Sequence, residues 1–335
     1  MLDEIRNSTI RAYIQACVIC LVFLCPDESI ASDNLGASFL RLASGARALG
    51  FGGTFISLAD DGSAAYWNPA GLAQITKPQV TLNYASLFES LAEHRFFNAA
   101  FPINEKTVLG VSVMQLDVDD IPGINSNIGS RGSVGVPLPG SPLKDRETAY
   151  VITVARMNRY QPVPLPGSGY VPIEMPYAVN VKLVRQTFGN DRSTGIGVDA
   201  GYMLKVGLVD AVGSSHAGHV ALGVTGKDII GTRIYWKNRP NETIKPSFRM
   251  GFSYTQPLKP LNSTFVIAQQ NSIYNGDSFR LGVEYWYRNA IALRIGESEE
   301  LTAGAGIIVW RTMLDYAFLN QGNGGSHHVS VSLNF

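Results

Sequence analysis

The sequence predicts an all-β protein, a transmembrane antiparallel β-barrel of about 14 strands. Three observations predict it. From Pro78 onward, short segments alternate between large apolar side chains on one face and glycine, serine or single charges on the other. Charged residues make up only 16% of the chain, against about 25% in ordinary soluble proteins, so a water-facing surface is poorly provided for. The last strand alternates from Val329 to Phe335 and ends on an aromatic C-terminus of the kind that outer-membrane assembly machinery reads. A soluble sandwich alternates as well, but its polar face must be solvated, and here that face is small. Disorder is excluded by 45% hydrophobic residues, and nucleic-acid binding is not indicated by 27 basic against 27 acidic residues.

Residues 1–31 read as a secretory signal. Arg6 and Arg11 precede the apolar run Ile14 to Cys25, and Ser29-Ile30-Ala31 supplies small residues for cleavage. Asp3 and Glu4 depart from a positive n-region, and Leu24 before Cys25 disfavours a lipoprotein. Cys17, Cys20 and Cys25 all fall in this leader, so the expected mature chain has no disulfide, no thiol chemistry and no cysteine-ligated metal. No later run is long enough for a helical span.

Residues 32–76 form a glycine- and alanine-rich block without a long period, read as short helical turns in a compact, irregular piece. Residues 77–335 carry the strands: 79–86, 93–102, 107–117, 147–157, 176–187, 194–207, 217–227, 245–256, 262–271, 277–287, 290–296, 301–309, 312–319 and 327–335. The count is even and puts both ends of the barrel in the periplasm. Expected outer loops include 118–146, 228–244 and 321–325. The stretch 158–175 is long yet falls on the periplasmic side, which means either a periplasmic insert or a miscount. Nine of the 17 prolines lie in 118–176, against central strands there.

Strand phase separates the two faces. Phe279, Leu281, Val283, Tyr285 and Tyr287 point one way, with Arg280, Gly282, Glu284 and Trp286 opposite. Ile291, Leu293 and Ile295 oppose Ala292, Arg294 and Gly296, and Phe248, Met250, Phe252 and Tyr254 oppose Arg249, Gly251 and Ser253. Lipid takes the apolar face and the lumen takes the other. Arg249, Arg280, Glu284 and Arg294 are therefore the expected lumen charges.

The N-terminal block carries an ordered string: Phe39-Leu40-Arg41-Leu42, Gly45-Ala46-Arg47-Ala48-Leu49-Gly50-Phe51-Gly52-Gly53, Ala59-Asp60-Asp61, and Tyr66-Trp67-Asn68-Pro69-Ala70-Gly71-Leu72. It resembles the PorV/PorQ family, itself similar to the FadL-like barrels. The resemblance continues loosely through Val179–Lys182 and Arg280–Tyr285. It implies a 14-stranded outer-membrane barrel with residues 32–76 inside as a hatch. It also implies one of two roles: work with secretion components and exported cargo at the outer membrane, or FadL-like passage of hydrophobic molecules. Ser44-Gly45-Ala46-Arg47-Ala48 departs from the Pro-Asp-Ala-Arg-Ala expected of secretion-type members. The secretion role stands as the primary expectation and lipophile transport as the alternative.

The hatch residues Arg47, Gly52, Gly53, Asp60, Asp61, Trp67, Asn68, Pro69 and Ala70 are the candidate structural or gating motif. Asn68-Pro69-Ala70 reads first as a capped turn and second as the border of a substrate path. Asp60-Asp61-Gly62 reads as a turn with solvent-facing carboxylates rather than a cation loop. Arg41 and Arg47 are candidates to pair with lumen carboxylates such as Glu284. Phe96, Met114 and Trp286, with Phe51, Phe55 and Trp67, are candidates for an apolar pocket between hatch and wall. His216 and His219 lack the partners of a metal site. No nucleophile–base set or cofactor loop appears, so no enzyme activity, cofactor or metal is expected. The expected partners are outer-membrane lipid and the assembly machinery.

Overall fold

The computed structural model describes residues 37–87, 91–121, 143–164, 170–209, 217–238, 240–274, 279–320 and 325–335. The leader with its cysteines, most of the loop 118–146, the tip of 158–175, His216 and 321–324 lie outside the described residues.

The chain forms β1 (Gln79–Leu87), β2 (Ala92–Asn104), β3 (Thr107–Ile121), β4 (Leu143–Pro164), β5 (Tyr170–Phe188), β6 (Asp191–Gly207), β7 (His219–Lys227), β8 (Thr232–Trp236), β9 (Glu242–Ile244), β10 (Ser247–Leu258), β11 (Ser263–Tyr274), β12 (Arg280–Tyr287), β13 (Ile291–Glu297), β14 (Leu301–Val309), β15 (Thr312–Leu319) and β16 (Ser326–Asn334). Fourteen of these close an antiparallel barrel, β1 to β7 and β10 to β16. The seam joins β16 to β1 from Gln79↔Asn334 to Ser86↔His327, and Phe335 N–H donates to Pro78 O at 3.0 Å. Closure leaves no free ladder edge, which is the condition for a sheet to sit in lipid.

Alternation sets the two surfaces. On β13, Ile291, Leu293 and Ile295 are exposed while Ala292, Arg294 and Gly296 are buried. The outward set continues around the wall through Leu82, Phe97, Val111, Ile152, Val181, Ile196, Leu314 and Val329. An encircling apolar belt of this kind is far larger than a soluble monomer exposes, so it faces hydrocarbon. The protein is an outer-membrane barrel, and the soluble-sandwich alternative is set aside.

One stretch left open is resolved, and one differs from expectation. The region 158–175 is not a miscount: it is an insert on the side of the C-terminus, the first of the two alternatives. β4 and β5 simply run on as a hairpin, pairing Asn158↔Met175 and Tyr160↔Ile173, with a register shift before Val163↔Val171. Met157 N–H donates to Lys106 O at 2.7 Å, level with the β2–β3 turn, so the hairpin projects past the rim that carries the C-terminus. β3 has ended by then, so Pro162 and Pro164 fall on an edge, where proline is tolerated.

The expected outer loop 228–244 contains β8 and β9. β8 prolongs β7 along β6 after a bulge. β6 takes four steps from Ala200 to Ile196 while its partner takes seven from Gly226 to Arg233, so three extra residues are accommodated. Asp228 (φ 54) and Gly231 (φ 70) make the turn, and Ile229 and Ile230 face outward. Alternation does not reveal strands this short.

Candidate functional site: a filled lumen

Residues 37–76 lie inside the barrel. They form a 3-10 turn Ser38–Arg41, two short helices, α1 (Ala46–Gly50) and α2 (Ala64–Trp67), and a second 3-10 turn Pro69–Gln74. Phe39, Phe51, Phe55, Ile56, Trp67 and Leu72 are fully buried. α1 runs out at Gly50, Gly52 and Gly53, and α2 stops at Asn68-Pro69, so neither extends into a long helix.

Glycines on the inner wall let this backbone come into contact. A Cβ on Gly50 would stand 2.8 Å from Gly304 Cα, and one on Gly52 would stand 2.7 Å from Leu281 O. Gly282, Gly296, Gly223 and Gly201 likewise face Phe51, Gly52, Ile56 and Asn68 with no room for a methyl group. Gly52 and Gly53 also hold φ of 71 and 70, which side-chain-bearing residues rarely adopt. The wall meets the hatch backbone: Ala46 N–H, free at the start of α1, donates to Ser330 Oγ at 2.7 Å, and Gly52 N–H, shared with Leu49 O at 3.0 Å, also donates to Thr302 Oγ1 at 3.1 Å.

The charged residues meet at Arg47. Its guanidinium donates to Glu284 through Nε at 3.1 Å and Nη2 at 3.2 Å, and Nη1 reaches Asp60 at 2.5 Å and Asp61 at 3.7 Å. Arg294 donates to the same Glu284 at 2.5 Å and to Asp315 at 2.7 Å. Trp286 lies under both guanidinium groups, at 5.8 Å from Arg47 and 5.4 Å from Arg294, and Phe55 lies 5.1 Å from Arg47. Burial works against the Arg47 cation, yet Asp60, Glu284 and Asp61 together hold its pKa well above the ordinary value. Burial pushes the Asp61 carboxyl up, Arg47 opposes this, and Asp60 adds to it.

Asp61 therefore differs from the expected solvent-facing carboxylate. Its Oδ1 accepts from Ser63 N–H at 2.8 Å and Ser63 Oγ at 2.5 Å, and its side chain is 13% exposed; Asp60 keeps 44%. The turn expected at Asn68-Pro69-Ala70 is present. Asn68 Oδ1 accepts from Ala70 N–H at 3.2 Å, while its Nδ2 donates to Ile56 O at 2.9 Å and Tyr202 O at 3.2 Å, so the cap is also a wall anchor. Trp67 Nε1 donates to Ser44 O at 2.7 Å. Arg280 abuts Gly53, and Arg249 is half-buried on the inner face. Arg41 is exposed, and its carbonyl accepts from Tyr66.

Sequence reasoning missed a second buried cluster. Lys182 Nζ donates to Asp199 Oδ1 at 2.7 Å and lies 2.8 Å from Asp228 Oδ1, and Asp228 N–H donates to Asp199 at 2.8 Å. Asn180 links it to the hatch by donating to Ala65 O at 2.9 Å, and Lys227 Nζ sits 3.3 Å from the Tyr66 ring centre. The available signal was a Lys and an Asp on the small-residue faces of adjacent predicted strands; the register that pairs Asn180 with Asp199 was not readable.

Among the described residues, two spaces border the hatch. A vestibule of 380 Å³ opens at the C-terminal rim, lined by Arg47, Asp60, Asp61, Lys205, His219, Glu284 and Trp286. Toward the other end a cavity of 40 Å³ lies against β2–β5, lined on one side by Leu40, Tyr66, Phe96, Met114 and Val151 and also by Ser112, Asn180 and the Lys182–Asp199–Asp228 cluster with Lys227. Phe96 and Met114 thus line a space between hatch and wall, but one of mixed lining rather than the apolar pocket expected. Trp286 instead faces the vestibule; Phe55 and Trp67 are packed in the hatch core and Phe51 packs against Val266 and Ala268 of the wall, so these three line neither space.

No protein-family model matches the sequence, and no curated protein matches it. Among solved structures, the chain is similar in fold to the Pseudomonas putida toluene transporter TodX, at 9% identity and TM-score 0.50, over 87% of this chain and 98% of that one. The Ralstonia pickettii toluene transporter TbuX aligns at 12% identity and TM-score 0.44, over 87% and 98%. A Pseudomonas aeruginosa FadL homologue aligns at 11% identity and TM-score 0.42, over 87% and 98%.

Proposed function

We propose that the protein passes small hydrophobic molecules across the outer membrane by movement of the first part of its hatch. The observation that supports this is an asymmetry. Residues 45–76 are tied to the wall by the Arg47 cluster, by backbone donors and by Asn68 and Asn180. Residues 38–44 are bonded to the rest of the hatch, by Tyr66 Oη to Arg41 O at 3.1 Å and Trp67 Nε1 to Ser44 O at 2.7 Å, but meet the wall mainly by apolar packing. Among the described residues, their one side-chain hydrogen bond to the wall is the weak contact of Ser44 Oγ with Met114 Sδ at 3.8 Å. That segment also carries Leu40, which together with Phe96, Met114 and Val151 lines the 40 Å³ cavity. At that volume the space holds about one water, so a lipophile enters only when the segment shifts. The TodX-like fold supports the same reading without carrying it.

Uptake of labelled toluene and of a long-chain fatty acid into proteoliposomes tests the reading. Leu40→Ala enlarges the space on its apolar side and is expected to raise uptake; Met114→Trp fills it and is expected to lower uptake several-fold. Unchanged uptake in both variants, with each correctly folded, rejects the passage. A second reading, docking of secretion components, is supported by the projecting β4–β5 hairpin. Trimming residues 161–172 leaves uptake intact under the transport reading, and removes a stoichiometric co-purifying protein under the docking one.

A further inference from the structure

The outer surface of the barrel carries a group of arginines that the lumen has no use for. At the end opposite the C-terminus, Arg146, Thr187 and Arg192 are successive cross-strand partners on β4, β5 and β6. Arg185 sits two residues along β5, opposite Thr148 and Thr194. All three arginines point outward and are exposed. Adjacent strands lie about 4.8 Å apart and diagonal neighbours about 7–8 Å, so Arg185 and Arg192 flank Thr187 on one small area of the outer face, with Arg146 beside it turned toward Asp117.

The charge there is unbalanced. The carboxylates on this surface, Glu93, Asp117 and Asp119, are engaged by Arg95, Arg146 and Lys144: Arg146 Nε lies 2.6 Å from Asp117 and Lys144 Nζ lies 3.1 Å from Asp119. Among the described residues Arg185 and Arg192 have no carboxylate partner, and Arg185 rests over the Tyr150 ring at 5.9 Å. The next row toward the membrane centre is apolar, Tyr150, Leu183 and Ile196, and beyond it come Ile152, Val181 and Val198. Cations directly above an apolar strip fit an amphipathic occupant with an anionic head. A free anion gains nothing from the strip, and a soluble acidic protein does not reach it.

We propose that Arg146, Arg185 and Arg192 bind the phosphate of an anionic outer-leaflet lipid, a phosphorylated glycolipid of the lipid A type, whose acyl chains lie along the Tyr150–Leu183–Ile196 row. Planar guanidinium groups suit phosphate because each offers paired donors. The site is on the outside of the wall and is independent of hatch movement.

Native mass spectrometry of the full-length protein in detergent tests this with three probes: bisphosphorylated lipid A, the same lipid without its phosphates, and inorganic phosphate. The wild type is expected to retain bisphosphorylated lipid A and release the dephosphorylated form. The double variant Arg185→Gln/Arg192→Gln is expected to bind it about 30-fold more weakly, from the usual contribution of a basic residue near an anionic leaflet. Arg288→Gln/Arg311→Gln, at the opposite rim, is expected to bind as wild type. Arg192→Gln alone serves if the double variant folds poorly, with a proportionately smaller loss. Equal retention by the double variant, equal loss in the opposite-rim control, equal binding of the dephosphorylated lipid, or displacement by inorganic phosphate would each overturn the proposal.

Discussion

Replacing Arg47 by Met keeps most of the stem that packs on Phe55 and Trp286 and removes the charge. Arg47 is the one cation that Asp60, Asp61 and Glu284 share; Glu284 keeps Arg294, whereas Asp61 keeps only its turn partner Ser63. Breaking one side of a buried pair costs about 3–5 kcal/mol, and the Arg47–Glu284 contact qualifies, at side-chain exposures of 12% and 3%. Part of that loss is recoverable by protonation. Burial already raises the Asp61 pKa, and removing Arg47 raises it further. A carboxyl whose folded pKa exceeds its unfolded value binds the extra proton in the folded state. Its penalty is therefore absent below the unfolded pKa, near 4, and grows as pH rises through the folded pKa. The Arg47→Met deficit is expected to be largest at pH 8 and to shrink toward pH 4.5. Guanidinium unfolding from lipid vesicles measures it, read by the fluorescence of Trp286 beneath the cluster. A double-mutant cycle with Glu284→Gln should give a coupling of about 1–3 kcal/mol. A deficit under 1 kcal/mol, or one independent of pH, refutes the view that Arg47 holds the hatch by neutralising these carboxylates.

Two further outcomes follow from contacts elsewhere. Gly296→Ala would bring a Cβ within 2.5 Å of Gly52 Cα, backbone that cannot yield, so the α1–Gly53 stretch must move off the wall. The expected result is a conducting barrel in planar bilayers with its heat resistance in detergent reduced; unchanged conductance would mean the hatch tolerates the shift. Lys182→Met leaves Asp199 and Asp228 buried without their shared cation, at an expected cost of about 3–5 kcal/mol. Hydrogen exchange should then rise first at Asp228–Gly231; protection lost evenly around the barrel would show that the cluster does not specifically hold the bulge.

The long strands were legible because each one faces two solvents. Ile291-Ala292-Leu293-Arg294-Ile295 reads as a strand at sight, and its lumen and lipid faces follow from phase alone. Phase does not reveal partners: Glu284 and Arg294 were expected on one surface, but the 2.5 Å bond between them depends on register. The hairpin 158–175 was obscured by its prolines, which look like breakers until β3 is known to have stopped short. β8 and β9 were hidden because they are held by a bulge and a buried lysine rather than by alternation. Inside the hatch, aromatic residues that seemed available to a ligand are needed to give a segment without regular structure a core of its own.

The wall glycines lead to a wider point about how such barrels record their contents. In a water-filled lumen, any small polar side chain serves at an inward position. Here Gly201, Gly223, Gly282, Gly296 and Gly304 are excluded from that freedom by a segment encoded more than a hundred residues earlier. The inner wall is thus a cast of the object it encloses, written into the sequence as missing side chains. Where inward-phased glycines recur on strand after strand of a barrel, the lumen is occupied by backbone, and the occupant's path can be traced from the positions at which the wall has been left bare.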